Sequence, residues 1–166
     1  MTTRRSPAEI RRVLELQGTD LELDFSGPAG TFEDADLVLA IDPEQAPRRH
    51  DLGHVEGAEA AAQALVNRLK THKGELVSLG RVYETYGSAH HALIGEPNVE
   101  RTRNQIKRHV LEALSHEPRI DEIESCRVWA PDSPPRDRVD IELVVRLRGE
   151  PTPLSLVVPF FLEGGP

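Results

Sequence analysis

Cysteine occurs once in this 166-residue chain, at Cys126. Neither an internal disulfide nor a zinc site built on paired thiolates is therefore available, and the lone thiol suits a reducing compartment. Aromatic residues make up only 4%, which leaves few rings to stack on bases or sugars. Basic residues never gather into a long block, and the formal net charge of −8 repels a phosphate backbone over most of the surface. Nucleic acid is accordingly not an expected partner. No stretch approaches the roughly 20 apolar residues of a bilayer span. The opening segment carries Arg4 and Arg5 with no apolar run behind them, so direct membrane insertion is not expected and the chain is expected in the cytoplasm. Repeats and low-complexity tracts are missing as well.

What is present describes a folding chain. Hydrophobic residues are 38% and charged residues 29%, within the range of soluble domains, and the length suits one core built from Leu, Val, Ile and Ala. Ser6, Pro7 and Glu9 read as an N-cap, a first-turn proline and a capping-box acid. Ile10, Val13 and Leu14 then form a narrow apolar stripe that stops at Gly18. That stripe suits either the domain's own core or a neighbour, and residues 1–18 read as a helical extension to a domain spanning 19–166. Leu21, Leu23 and Phe25 alternate with acids, and Leu37 to Ile41 is a second apolar run, so both predict strands around a Gly27–Gly30 turn. Pro43 to Gly53 predicts a loop. Ala58, Ala61, Ala62, Leu65, Val66 and Leu69 recur at helical spacing, with Gly74 set to end that helix after Lys73.

Gly80 to Pro97 has little periodicity and reads as a structured connection with one short helix. Asn98 is placed to cap a long helix in which Ile106, Val110, Leu111 and Leu114 face inward and Arg101, Arg103, Lys107 and Arg108 outward. Pro118 ends it. Three strands follow, at about Ile120–Ala130, Val139–Arg148 and Leu154–Leu162. The middle one alternates cleanly, so one face is buried and one wet. In the last, Leu156, Val157, Val158, Phe160 and Phe161 are apolar on both sides of Pro159, which predicts an edge strand covered by another element.

Few residues point to chemistry. Glu117-Pro118-Arg119-Ile120 sits at a helix-to-strand corner, where an arginine and a carboxylate can hold geometry or a partner but cannot turn over a substrate. Read blandly, it is an intrachain ion pair worth about 0 to 1 kcal/mol if exposed. His50, Asp51 and His54 lie in the expected loop without a third strong ligand, and His90 and His91 cannot both face one ion from a regular element. No metal or cofactor is expected. There is no nucleophile elbow, phosphate cradle or C-x-x-C, and Cys126 reads as a small buried hydrophobe. Glu117 or Glu84 could serve as one acid of a glycosidase, whose two carboxylates stand roughly 5 to 9.5 Å apart, but no sugar platform of aromatics accompanies them. No catalytic residue is assigned.

Three pieces in order carry a resemblance: Leu69-Lys70-Thr71-His72-Lys73-Gly74-Glu75-Leu76 after an Ala-rich helix, Tyr86-Gly87-Ser88 in the connection, and Glu117-Pro118-Arg119-Ile120 after the long helix. Together they resemble the baseplate wedge and sheath-initiator family of contractile phage tails and contractile injection systems, with a type VI secretion component as a distant relative. The resemblance spans about Asp36 to Phe160. It implies a compact α+β domain, with helices packed on a small, mostly antiparallel sheet and a C-terminal three-strand region. It implies a structural role, joining baseplate wedge proteins to the first ring of sheath protein and nucleating sheath assembly, with inner tube or hub proteins as further neighbours. Six copies per particle, and passage from the cytoplasm into an assembled tail-like particle, are implied as well. By position, Glu117, Pro118 and Arg119 take the wedge contact, and Leu156, Val158, Pro159 and Phe160 the strand exchange with sheath. The Pro43–His54 segment and the leading helix depart from the family. Its lysozyme-like label is not carried over, because no acid and nucleophile pair stands out. A rival role is a cytosolic adaptor of the same fold that binds a regulatory protein.

Overall fold

The computed structural model describes residues 6–25, 35–41, 50–80 and 83–163. Elements run α1 (Pro7–Gln17), β1 (Thr19–Leu21), β2 (Leu23–Asp24), β3 (Asp36–Leu37), β4 (Leu39–Ile41), β5 (His50–Leu52), β6 (His54–Glu56), α2 (Ala58–Lys70), two short 3₁₀ turns (Val77–Leu79 and Ala89–Leu93), α3 (Glu100–Ser115), β7 (Ile120–Trp129), β8 (Arg138–Leu147) and β9 (Leu154–Phe161). The fold is α+β, as the resemblance implies.

The body has two layers. β7, β8 and β9 form an antiparallel sheet with β8 in the middle. On β8 the odd positions Val139, Ile141, Leu143, Val145 and Leu147 are buried, because a two-residue repeat sends them all to one face. Leu65 and Leu69 of α2, and Ile106, Val110 and Leu114 of α3, close over that face in one continuous core. Cys126 is buried there, and burial pushes its thiol up. The reverse face is wet and laced with ion pairs, Arg146 with Glu122 and Glu124, and Arg127 with Glu142.

α2 stops at Lys70, earlier than the expected end at Lys73. Thr71 turns extended, and both its backbone N–H and its hydroxyl donate to the Asn67 carbonyl, 3.0 and 2.8 Å away. The early stop lets Thr71 and His72 run beside Ser88, which donates its N–H to the Thr71 carbonyl at 2.9 Å. Gly87 makes that approach possible: its φ is +88°, and a Cβ there would lie 2.6 Å from the His72 carbonyl oxygen. Asn98 does not cap α3. Val99 holds the cap position, while the Asn98 amide donates to the Arg136 and Arg138 carbonyls and its oxygen accepts from Arg103, tying α3 to the start of β8.

The expected loop through Gly53 is a correction as well. His50–Leu52 is a strand paired with β4, and His54–Glu56 is one paired with β1. Three segments, 19–24, 36–41 and 50–56, meet at a hub where each pairs with both others. Three hydrogen bonds close it: Glu22 N–H to Gly53 O at 2.9 Å, Gly53 N–H to Val38 O at 2.7 Å, and Val38 N–H to Glu22 O at 3.1 Å. Local alternation cannot reveal this arrangement, since each strand is short and changes partner halfway. The Gly27–Gly30 turn, residues 43–49, and the side chains of Glu9, Ile10, Val13, Leu14, His50 and Asp51 lie outside the described residues.

Candidate functional site

The corner after α3 is built inside out. Pro118 cannot extend the helix, so the chain turns through Glu117–Arg119, with the Ile120 N–H donating to the Glu117 carbonyl at 3.2 Å. Pro118 is exposed and the Glu117 side chain is only 2% exposed. A buried carboxylate needs cations and donors around it. Arg68 of α2, itself 8% exposed, supplies the first, Nε to Oε2 at 3.0 Å. Arg119 supplies the second through Nη1 to Oε1 at 3.3 Å, and remains 33% exposed. Arg68 also donates to the Thr85 carbonyl at 3.2 Å and lies 4.5 Å over the Tyr86 ring. Burial raises the Tyr86 phenol above its ordinary value against the lowering pull of Arg68.

Arg119 has a second attachment. Its Nε donates to the Gln17 carbonyl at 3.1 Å, the last residue of α1, where an exposed helix carbonyl favours a cation. Gln17 is fully buried, and its amide donates to the Arg148 carbonyl at 2.6 Å. Arg148 returns its backbone N–H to the Arg119 carbonyl at 2.9 Å. Four elements, α1, α2, the α3–β7 corner and the end of β8, thus converge on one ion-paired junction beside an open cleft of about 360 Å³. Arg68 and Gln17 were not singled out by sequence, although Arg68 sits on the buried stripe of Ala61 and Leu65. A charge on such a stripe signals a buried counter-ion.

At the other end of the sheet, β9 offers an edge. Leu162 N–H donates to the Asp137 carbonyl at 3.0 Å, in register with the Phe161–Arg138 pair. Antiparallel alternation then assigns Leu154, Leu156, Val158 and Phe160 to the bonds with β8. Ser155, Val157, Pro159 and Phe161 turn their backbone groups away from it, and among the described residues no other backbone meets them. Pro159, lacking an N–H, sits where no ladder bond is lost. Of the four expected strand-exchange residues, Val158 and Phe160 are buried in the core, Leu156 is half-buried, and only Pro159 belongs to the outward set.

His90 and His91, adjacent in sequence, stack on one another. His90 lies between His91 and Phe160, with ring centroids 4.2 and 4.6 Å away, and His72 stacks on His91 at 4.1 Å. His90 Nδ1 and the Ser88 hydroxyl share a hydrogen bond at 2.7 Å, and that hydroxyl donates to the His109 carbonyl at 3.4 Å. Burial and the neighbouring histidines lower His90 to about 3, and burial lowers His91 despite its hydrogen bond to the Leu69 carbonyl. His90 and His91 are packed as neutral groups. Among the described residues there is no cluster of three metal-ligating side chains, and no helix is long and apolar enough to cross a membrane.

Residues 55–152 match the family model described as Baseplate wedge protein gp25. That span is shorter than the expected Asp36–Phe160 and takes in α2, α3, the charged corner, β7 and β8. A crystal structure of a candidate tail lysozyme from Geobacter sulfurreducens is 30% identical to this chain, covers 65% of it and 94% of its own length, and superposes with a TM-score of 0.54. No curated protein matches the chain.

Proposed function

We propose that this chain, which belongs to the baseplate wedge protein gp25 family, is a non-catalytic structural part that joins the wedges of a contractile tail-like particle to its first sheath ring and starts sheath assembly. The observation that carries the reading is the outer edge of β9, which no other strand pairs among the described residues. An edge strand with free N–H and C=O groups adds a partner's strand at little cost, because those groups must otherwise be left to water. Ser155, Val157 and Phe161 would supply the backbone bonds, with Pro159 setting register by omitting one. Leu156, Val158 and Phe160 would hold the strand from beneath.

The corner supplies the other attachment. Glu117 faces inward, held by Arg68, and cannot itself reach a partner. Its part in the wedge contact is to fix the exposed Pro118 and the outward part of Arg119. Residues 1–18 are an extension tied to that same corner through the Gln17 carbonyl, and 19–166 the domain. Wedge proteins and sheath protein are the partners, with inner tube or hub proteins adjoining and six copies per particle.

Assembly of particles carrying Val157→Pro tests this. The substitution removes an outward N–H and leaves the β8 ladder alone, so the protein should fold and enter baseplates that carry no sheath. Full-length sheaths on such baseplates would refute it. Arg119→Ala should instead keep the protein out of the baseplate.

The relative described as a candidate tail lysozyme raises a second reading, glycoside cleavage. Glu117 is the buried acid at the cleft, closed to solvent between two guanidinium groups. Release of fragments from purified peptidoglycan, abolished by Glu117→Gln, would establish that reading.

A further inference from the structure

The strand hub before α2 lies outside the family match except for Val55 and Glu56, and it has a face that nothing in the described fold covers. Register pairs Leu21 with His54, Leu23 with Leu37, and Leu39 with Leu52. Cross-strand partners share a face, and so do residues two apart along a strand. Leu21 and Leu23, Leu37 and Leu39, and Leu52 and His54 are each two apart, so all six side chains close into a ring on one side. The opposite side carries Glu22, Val38 and Gly53, where a Cβ at Gly53 would touch the Glu22 side chain. On the first side Leu21 is 45% exposed, Leu37 49%, Leu39 62% and Leu52 40%. Scattered exposed leucines are ordinary, but four on one small face are a patch.

Charge selects what could cover it. Between Arg12 and Arg48 the sequence has nine acidic residues and no lysine or arginine. Asp20, Glu22 and Asp36 border the hub with no Lys or Arg paired to them among the described residues, and Asp36 stands opposite Asp24 in the β2–β3 pair. Two copies meeting leucine to leucine would bring Asp20, Glu22 and Asp36 of each within about a Debye length of one another, roughly 8 Å at physiological salt. A second copy is therefore disfavoured, and an apolar segment edged with cations is favoured.

We infer that the Leu21–Leu37–Leu39–Leu52 face is a docking surface for an amphipathic segment of a partner protein, with aliphatic side chains on the leucines and lysine or arginine at its margins. The strand that carries Leu21 begins one residue after Gly18, directly beyond the Gln17 carbonyl that Arg119 grips, so a neighbour seated at the corner could extend onto the face. The inference stands on the hub alone and does not require the corner's role.

Two synthetic helical peptides with the same leucine face, one with lysines on its other side and one with glutamates, test it by fluorescence anisotropy on the full chain. The lysine peptide should bind, more weakly as salt rises. The glutamate peptide should bind at least about tenfold more weakly, and Leu37→Ser/Leu39→Ser should weaken the lysine peptide by about tenfold. Leu21→Ser, on another leg of the hub, should weaken it as well. Three results would overturn the inference: equal binding of both peptides, no binding of either, or full binding of the lysine peptide to the double variant, which would reduce the face to a charge effect. Sedimentation showing a dimer that Leu37→Ser/Leu39→Ser dissolves would assign the face to a second copy instead.

Discussion

Arg68→Met leaves the Glu117 carboxylate buried with its main counter-charge gone. Both side chains of this pair are less than a tenth exposed, and the Nε–Oε2 distance is 3.0 Å, so solvent cannot take over from the lost guanidinium. Breaking a buried pair from one side costs about 3 to 5 kcal/mol, because an uncompensated charge remains. The variant also loses the Thr85 hydrogen bond and the stacking on Tyr86. Arg119 stays within 3.3 Å of Oε1 but is one-third exposed, which puts the expected loss near the lower end, at about 3 kcal/mol. Glu117→Leu alone strands Arg68 and should cost about as much. In Arg68→Met/Glu117→Leu both charges are gone from the same volume, and most of the loss should return. Urea unfolding of the four proteins gives the cycle directly. Single variants each costing under about 1 kcal/mol, or a double variant losing the sum of both, would refute the reading of this pair as a coupled buried unit.

Gly87→Ala forces a Cβ against the His72 carbonyl and a side chain into φ +88°, so it should cost about 2 kcal/mol or more, read as a fall in thermal midpoint; an unchanged midpoint would contradict the close approach of Thr71–His72 to Ser88. His90 titrates near 3 in the fold against 6.5 for the ordinary side chain. Between those values the unfolded chain binds the extra proton, so this stabilisation is present above about pH 6.5 and is lost as pH falls toward 3. His90→Gln should flatten the stability profile across that window, and an unaltered slope would show that another group dominates. Val158→Pro removes a bond to β8 and should unfold the chain at temperatures where Val157→Pro leaves it folded, a contrast that circular dichroism resolves; a larger loss for Val157→Pro would mean the edge assignment is reversed.

The parts of the fold that sequence revealed are those where one residue type repeats at a fixed spacing. The alternation of Val139 to Leu147 on β8, and the stripe of Ile106, Val110 and Leu114 on α3, put those residues in the core. Where one residue answers to a distant one, spacing is silent. Asn98 has the side chain of a helix cap, yet its amide reaches Arg136 and Arg138, some forty positions on. The hub escaped because its strands are two or three residues long and exchange partners at Glu22, Val38 and Gly53. The corner was visible as Glu117-Pro118-Arg119, but its inward half depends on Arg68, 49 residues earlier, and on Gln17, 102 residues before Arg119. On β9 the apolar run pointed to the strand, while the choice of which residues face outward required the register with β8.

Hydrogen exchange along β9, with and without purified sheath protein, addresses the open edge itself. In the free protein the amides of Leu156, Val158 and Phe160 should be protected and those of Ser155, Val157 and Phe161 should exchange fast. Sheath protein should slow the second set and leave the first unchanged. Fast exchange at Ser155, Val157 and Phe161 in the presence of saturating sheath protein would mean that this edge does not receive a sheath strand.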